Sequence, residues 1–201
     1  MNEPHFRYYI INKPYNMVSQ FISSHPVGLL GDLDFKFPEG IHAVGRLDNH
    51  SEGLLILTTN KKITRLLFLG DSPHKRTYLV QVNNKLSAES LHLLQTGVTI
   101  RIKEGKQYTT PPCQVSIVDN PEKIYPSAIS PLGYGPHTWL MISLTEGKFH
   151  QVRKMMGAIH HRCKRLIRIS IEDLLLGALP PGGVKEIEEN IFFELLKINS
   201  K

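Results

Sequence analysis

The residues best placed to do chemistry stand in one short stretch, Gly45-Arg46-Leu47-Asp48-Asn49-His50-Ser51-Glu52-Gly53, where a carboxylate follows an arginine by two positions. A lone Asp in a turn fits an Asx-turn or a helix cap as readily as it fits catalysis. Two features favour a reactive group. Leu54 to Leu57 form an apolar run bounded by Gly53 and a Thr-Thr-Asn cluster, the pattern of a short buried strand able to hold the turn still. The chain also lacks a Gly-x-Ser-x-Gly elbow, a His-Glu-x-x-His pair and a phosphate loop. A carboxylate acting alone needs a cation beside it to stay ionised and oriented in a poorly solvated site.

Two further segments offer cations. In Glu146-Gly147-Lys148-Phe149-His150-Gln151-Val152-Arg153-Lys154-Met155, helical spacing turns Val152, Met155 and Met156 inward and leaves Lys148, Gln151 and Lys154 on another side. Arg153 lies next to that apolar stripe, where a guanidinium needs a carboxylate partner. An ordinary amphipathic helix with a solvated basic face fits the same residues. Lys75-Arg76-Thr77-Tyr78-Leu79-Val80 sets an aromatic beside two cations on an alternating strand. That combination suits contact with an RNA backbone and stacking on unpaired bases, and it also suits a plain sheet residue.

The elements that must position these groups alternate between strand and helix signals. Arg7 to Asn12 reads as a strand stopped by Lys13-Pro14, Arg76 to Asn83 as a half-buried strand, and Thr138 to Leu144 as another. Lys61 to Leu69 has helical spacing, and Ser87 caps a helix that runs to Thr96 and stops at Gly97. Lys148 to Ile159 is the helix that carries Arg153. Lys164 to Ile171 alternates basic and apolar residues, as a strand with one wet, cationic face would. Residues 22 to 40 read as an irregular connection, and Val98 to Pro136 as short strands broken by prolines. Neighbouring strands with interspersed helices predict an α+β fold with a largely antiparallel, mixed sheet.

Composition narrows the class. The 201 residues are 41% apolar and 21% charged, in keeping with one globular domain or two small lobes sharing a cleft. No apolar run approaches the roughly 18 residues of a membrane helix. The N-terminus lacks the apolar core of a signal peptide, and Cys113 and Cys163 form neither a disulfide framework nor a zinc knuckle. A cytoplasmic protein is the simplest expectation. The net charge of +6 favours a polyanionic partner, and the cations concentrate at Lys75-Arg76 and between Lys148 and Arg168. The acidic clusters gather between Glu172 and Lys201, so a polarised molecule with one basic face is expected.

Three blocks together resemble the motifs of the RsuA/RluB/RluE/RluF family of ribosomal RNA pseudouridine synthases. They are Tyr9-Ile10-Ile11-Asn12-Lys13-Pro14 with Asn16-Met17-Val18-Ser19-Gln20-Phe21, then Gly45-Arg46-Leu47-Asp48 with Ser51-Glu52-Gly53-Leu54-Leu55, then Glu146-Gly147 through Gln151-Val152-Arg153-Lys154-Met155 to Arg165-Leu166-Ile167-Arg168. The resemblance runs from about Phe6 to about Ile187. It starts within ten residues of Met1, which implies a short form without an S4-type RNA-binding domain. That and Lys13-Pro14-Tyr15 with Gln20-Phe21 most resemble the RluE branch, which acts on large-subunit ribosomal RNA.

The resemblance implies a single catalytic domain with a central basic cleft, working as a monomer on large-subunit (23S) ribosomal RNA or an assembling subunit, with no cofactor, metal or membrane. It implies roles residue by residue. Asp48 matches the catalytic aspartate, Arg153 the arginine that pairs with it, and Tyr78 the tyrosine that stacks on the target base. Leu166 matches an apolar residue of the uracil pocket, and Lys13 and Arg46 match basic residues flanking the cleft. Lys75, Arg76, Lys148, Arg165 and Arg168 would meet phosphates, with Gln151 beside them. His160 stands where many members have Gly, and Arg162 where many have Pro, which alters the turn after the Lys148 helix. The loops at 22–40 and 119–137 would then select the site.

Other classes fare less well on the same residues. A non-catalytic RNA-binding or ribosome-assembly module could lose Asp48 without penalty, yet Asp48 is present. A metal site at His160, His161 and Cys163 lacks a second ligand pair, and adjacent histidines point apart on a helix or a strand. A carbohydrate-active enzyme could use Asp48 and Glu52. Against it stand the basic charge and a single Trp, Trp139, inside an expected strand.

Overall fold

The computed structural model describes residues 6–68, 73–128 and 135–199. It divides into two compact units, Met1–His74 with Arg168–Lys201, and Lys75–Ile167. The first begins with β1 (Tyr8–Lys13), β2 (His42–Val44), β3 (Glu52–Thr58) and helix α1 (Ile63–Phe68). The second follows with β4 (Arg76–Asn83), α2 (Ala88–Thr96), β5 (Thr99–Arg101), β6 (Gln107–Thr109), β7 (Gln114–Ile117), β8 (His137–Leu144) and α3 (Gln151–Ala158). Strand β9 (Cys163–Ile171) carries the chain back to the first unit, which ends with β10 (Leu174–Leu175), β11 (Val184–Ile187) and α4 (Glu189–Leu196). The fold is α+β with mostly antiparallel strands, as the pattern of the sequence predicts.

In the first unit β1 is the hub. It pairs antiparallel with β11 on one edge and with β3 on the other, in the register Lys13 opposite Gly53. Every residue of β1 and β3 is buried. The alternation expected of a half-wet strand is absent because elements cover both faces. Tyr8 packs on Phe192 and Phe193 of α4, with centroids 4.5 and 5.8 Å away. Tyr9 meets Phe35 and Phe37 from the 22–40 connection at 5.6 and 6.3 Å. That connection therefore forms its own aromatic cluster against β1, with Leu30 fully buried.

In the second unit β4 and β8 pair along their full lengths, Arg76 opposite Leu144 and Asn83 opposite His137, and β7 adds to the outer edge of β8. Strands β5 and β6 form a separate hairpin. The core gathers Val80, Val82, Leu94, Leu140, Ile142, Val152, Met155, Met156 and Leu166, so α2 and α3 bury one face each. Ser87 caps α2 by accepting the Ser90 amide, and Gly97 closes it at φ 114. An added Cβ at Gly97 would lie 2.3 Å from the Thr110 carbonyl oxygen, so only glycine fits there.

Some boundaries shift. Strand β1 extends through Lys13, one residue past the expected end. Helix α3 starts at Gln151 rather than Lys148, because His150 takes the left-handed conformation at φ 55 and ends any helix running in from Lys148. Residue 69 of the expected α1 helix and residues 129–134 of the 119–137 loop lie outside the described residues. Helix α4 and strand β11 carry no counterpart in the sequence reading, which treats 172–201 by its charge. Among the described residues no helix is long and apolar enough to cross a membrane.

Candidate active site

Asp48 lies between β2 and β3 in the first unit, half-buried, and its carbonyl accepts the Ser51 amide across a tight turn at 2.9 Å. Gly45 opens the turn at φ 73, and a Cβ there would stand 2.8 Å from the Phe68 ring. The angle favours glycine, and any larger residue would have to displace the tip of the Phe68 ring. The backbone on each side of Asp48 is then gripped by the segment after β1. Buried Ser19 donates its hydroxyl to the Leu47 carbonyl at 3.0 Å and accepts the Leu47 amide at 2.9 Å. Asn49 donates its side-chain amide to Asn16 Oδ1 at 3.1 Å. Asp48 is flanked by a residue tied through its backbone, Leu47, and one tied through its side chain, Asn49.

Lys13 completes the grip, in a role the sequence did not suggest. Instead of flanking a cleft, its side chain is fully buried. Its ammonium donates to the carbonyls of Pro14 at 2.8 Å, Met17 at 2.6 Å and, at longer range, Asn49 at 3.4 Å. Burial pulls the ammonium down to about 8, opposed by the charges of Glu52 and Asp48 and assisted by Arg168. The charges of Asp48, Glu52 and Arg168 therefore all act on Lys13 within this unit. Glu52 is itself buried at the start of β3, which removes it as a solvent-facing partner for Asp48.

Arg168 also departs from expectation. The strand that holds it was expected to show a wet cationic face, but Arg168 is 3% exposed and donates Nε to the Leu54 carbonyl at 2.7 Å. It braces β3 just after the Asp48 turn. Arg46, expected to flank the cleft, is exposed on that turn.

The other expected site residues belong to the second unit. Tyr78 is half-buried on β4 and packs against the core that includes Leu166 and Val152. Arg153 leaves the first turn of α3 with its guanidinium 3.7 Å from the Cys163 sulfur. Burial pushes the Cys163 thiol up to about 11 despite that guanidinium, so at neutral pH it is a protonated thiol and not a nucleophile. Lys75 and Lys148 are exposed, and Lys148 lies over the Tyr108 ring at 5.0 Å. Arg76 donates to the Thr145 carbonyl at 3.0 Å.

Gln151 and Arg165 serve the scaffold. Buried Gln151 accepts the Lys148 amide at 2.7 Å and donates to Glu146, which also accepts the Tyr108 hydroxyl. This links the Glu146 turn to the start of α3. Arg165 donates to the Ser127 and Ala128 carbonyls, each at 2.9 Å, and lies over Trp139. Among the described residues no group of three His, Cys, Asp or Glu could hold a metal ion.

Ser19 and Asn16 are the positioning residues that sequence reasoning missed. Both stand in the first motif block, but nothing in a one-dimensional pattern says which backbone a serine hydroxyl will reach.

Comparison with known proteins identifies the family and the fold. A model described as RNA pseudouridylate synthase matches residues 7–158. The chain is 37% identical over 176 residues to ribosomal large subunit pseudouridine synthase E of Xanthomonas axonopodis pv. citri, covering 86% of this chain and 89% of that protein. It is 36% identical over 187 residues to the protein of the same name in Vibrio parahaemolyticus, covering 89% and 73%. A solved structure titled as a pseudouridylate synthase superposes with a TM-score of 0.76 at 22% identity, covering 96% of this chain and 74% of that one, and so shares the fold. With a family model spanning most of its length and relatives above a third identical, this chain belongs to the RNA pseudouridylate synthase family.

Proposed function

We propose that this protein converts a specific uridine of large-subunit (23S) ribosomal RNA to pseudouridine, with Asp48 as the catalytic carboxylate. Family membership supports the reaction, and the names of the two bacterial relatives support the substrate. The observation that supports the residue assignment is the hold on both neighbours of Asp48, by Ser19 on the Leu47 backbone and by Lys13 on the Asn49 carbonyl, with Asn16 bonded to the Asn49 side chain. A scaffold spends hydrogen bonds in this way on a side chain whose position matters.

The reaction breaks the N1–C1′ bond, turns the detached uracil and joins C5 to C1′. C5 gives up a proton and N1 gains one, so nothing is oxidised and nothing leaves. Asp48 serves either as a nucleophile at C1′ or the base, or as a base at the ribose, and each route needs its charged form. The family resemblance assigns to Arg153 the pairing with the catalytic carboxylate, to Tyr78 the stacking on the displaced base, and to Leu166 a place in the uracil pocket. Extracting a stacked uridine costs a few kcal/mol, and base–aromatic stacking returns about 1–3 kcal/mol. Arg46, Lys75, Arg76 and Lys148 meet phosphates, which makes binding strongly salt-dependent. In this reading the protein acts as a monomer in the cytoplasm, on free RNA or on an assembling subunit.

The test is a map of pseudouridines in ribosomal RNA from cells that lack the protein, complemented with wild type or with Asp48→Asn. One large-subunit site disappears without the protein, returns with wild type and stays absent with Asp48→Asn. An unchanged map in all three strains refutes the enzymatic assignment. A site restored by Asp48→Asn refutes the role of Asp48 alone.

A further inference from the structure

Next to the Asp48 turn the first unit displays an aromatic pair that the reaction does not use. Tyr15 is 53% exposed, and its ring stacks on His50 with centroids 5.2 Å apart and planes 23° apart. Burying a ring of this size would stabilise the fold, and here much of that gain is forgone. With His50 on one face and over half its surface open, Tyr15 has a second face to offer a planar ligand.

The pair is also held in place. Tyr15 sits between Pro14, whose carbonyl accepts Lys13, and Asn16, which takes a left-handed conformation at φ 60 and accepts the Asn49 side chain. His50 follows Asn49 directly, two residues after Asp48. The same bonds that fix Asp48 therefore fix the distance from Asp48 to the aromatic pair. Exposed Arg46 adds a cation on that turn, complementary to a nucleic-acid backbone.

We infer that Tyr15, backed by His50, is a stacking platform for the nucleobase adjacent to the target uridine. This rests on the proposed RNA substrate and adds a contact beyond the target base. An aromatic face takes any base, so the platform positions the strand and leaves sequence choice to other groups.

The experiment is a binding cycle on an RNA fragment containing the mapped uridine. Dissociation constants are measured for Asp48→Asn alone and combined with Tyr15→Ala or Tyr15→Trp. Each is tested on the intact fragment and on fragments with an abasic nucleotide on the 5′ or 3′ side of the target. Tyr15→Ala weakens binding to the intact RNA about 5- to 150-fold, and Tyr15→Trp restores it. On one of the two abasic fragments Tyr15→Ala has no further effect. In the otherwise wild-type enzyme Tyr15→Ala raises KM more than it lowers kcat. Unchanged binding of Tyr15→Ala to the intact RNA, or an equal loss on both abasic fragments, overturns the platform. Wild-type activity on the fragment is scored separately, so failure of the enzymatic reading registers as no pseudouridine whatever Tyr15 does. A circular-dichroism melt shows that Tyr15→Ala is folded.

Discussion

Replacing Lys13 with Met tests whether a buried ammonium organises the Asp48 turn. In the folded protein this lysine loses its proton near pH 8, against 10.5 for the ordinary side chain. That difference makes the buried charge cost roughly 3 kcal/mol at neutral pH. Its carbonyl bonds work in the opposite direction, since leaving a buried acceptor unmet costs about 1–3 kcal/mol each. Two close contacts and one long one bring the opposing effects near balance. Lys13→Met should therefore change stability at pH 7 by no more than about 2 kcal/mol. The pH dependence is the sharper quantity. Between pH 8 and pH 10.5 the unfolded chain holds a proton on Lys13 that the folded protein has released, so stability rises with pH over that window.

Below pH 8 both states are charged and the full cost is present, while above 10.5 it has vanished. The wild type should gain roughly 3 kcal/mol relative to Lys13→Met as pH rises through this window. Urea unfolding of both proteins, followed by far-UV circular dichroism at several pH values, measures the difference, and titrations common to both cancel. A difference that stays flat or falls as pH rises refutes the buried-charge account. Turnover provides the second readout. With the turn no longer tied to Pro14, Met17 and Asn49, kcat at pH 7 should fall while RNA affinity holds within a few-fold.

Two further substitutions probe the Leu47 clamp and the end of α3. Ser19→Ala removes both bonds to Leu47, and single-turnover kinetics should show kcat reduced about 10- to 100-fold, since a misplacement of about 1 Å can cost 100-fold. RNA affinity should change little, and an unchanged kcat would mean that the clamp does not position Asp48. His160→Gly acts on the end of α3, where His160 and His161 donate to the carbonyls of Gly157 and Met156 with His160 at φ 61. That is a Schellman cap with a side chain in the glycine position, so the change should stabilise the protein by about 0.5–1 kcal/mol in thermal or urea unfolding. Destabilisation would show that the histidine side chain contributes more than its strain.

Much of this protein is legible in one dimension. The Gly45–Gly53 motif, the apolar run behind it and the cation-bearing third block point to the family, because they preserve residue types at fixed spacing. Strand β4 and helix α2 with its cap and stop residues are read off within a residue, since periodicity and capping are local properties. Helix α4 is hidden by reading residues 172–201 as acidic, although Phe192, Phe193 and Leu196 recur at helical spacing and bury against the core.

What the sequence cannot tell is where a long cation points. Lys13, Arg165 and Arg168 share the charge of Arg46 and Lys75, yet the fold turns the first three onto backbone carbonyls and leaves the other two exposed. That outcome depends on which strands close over them, a property of pairing between segments as far apart as Arg168 and Leu54. The clamp of Ser19 on Leu47 spans 28 residues for the same reason. Sequence alone determined that a carboxylate stands in a turn anchored to a buried strand. Only tertiary structure decided that its backbone is gripped from both sides, because hydrogen bonds form between neighbours in space and spacing along the chain does not encode them.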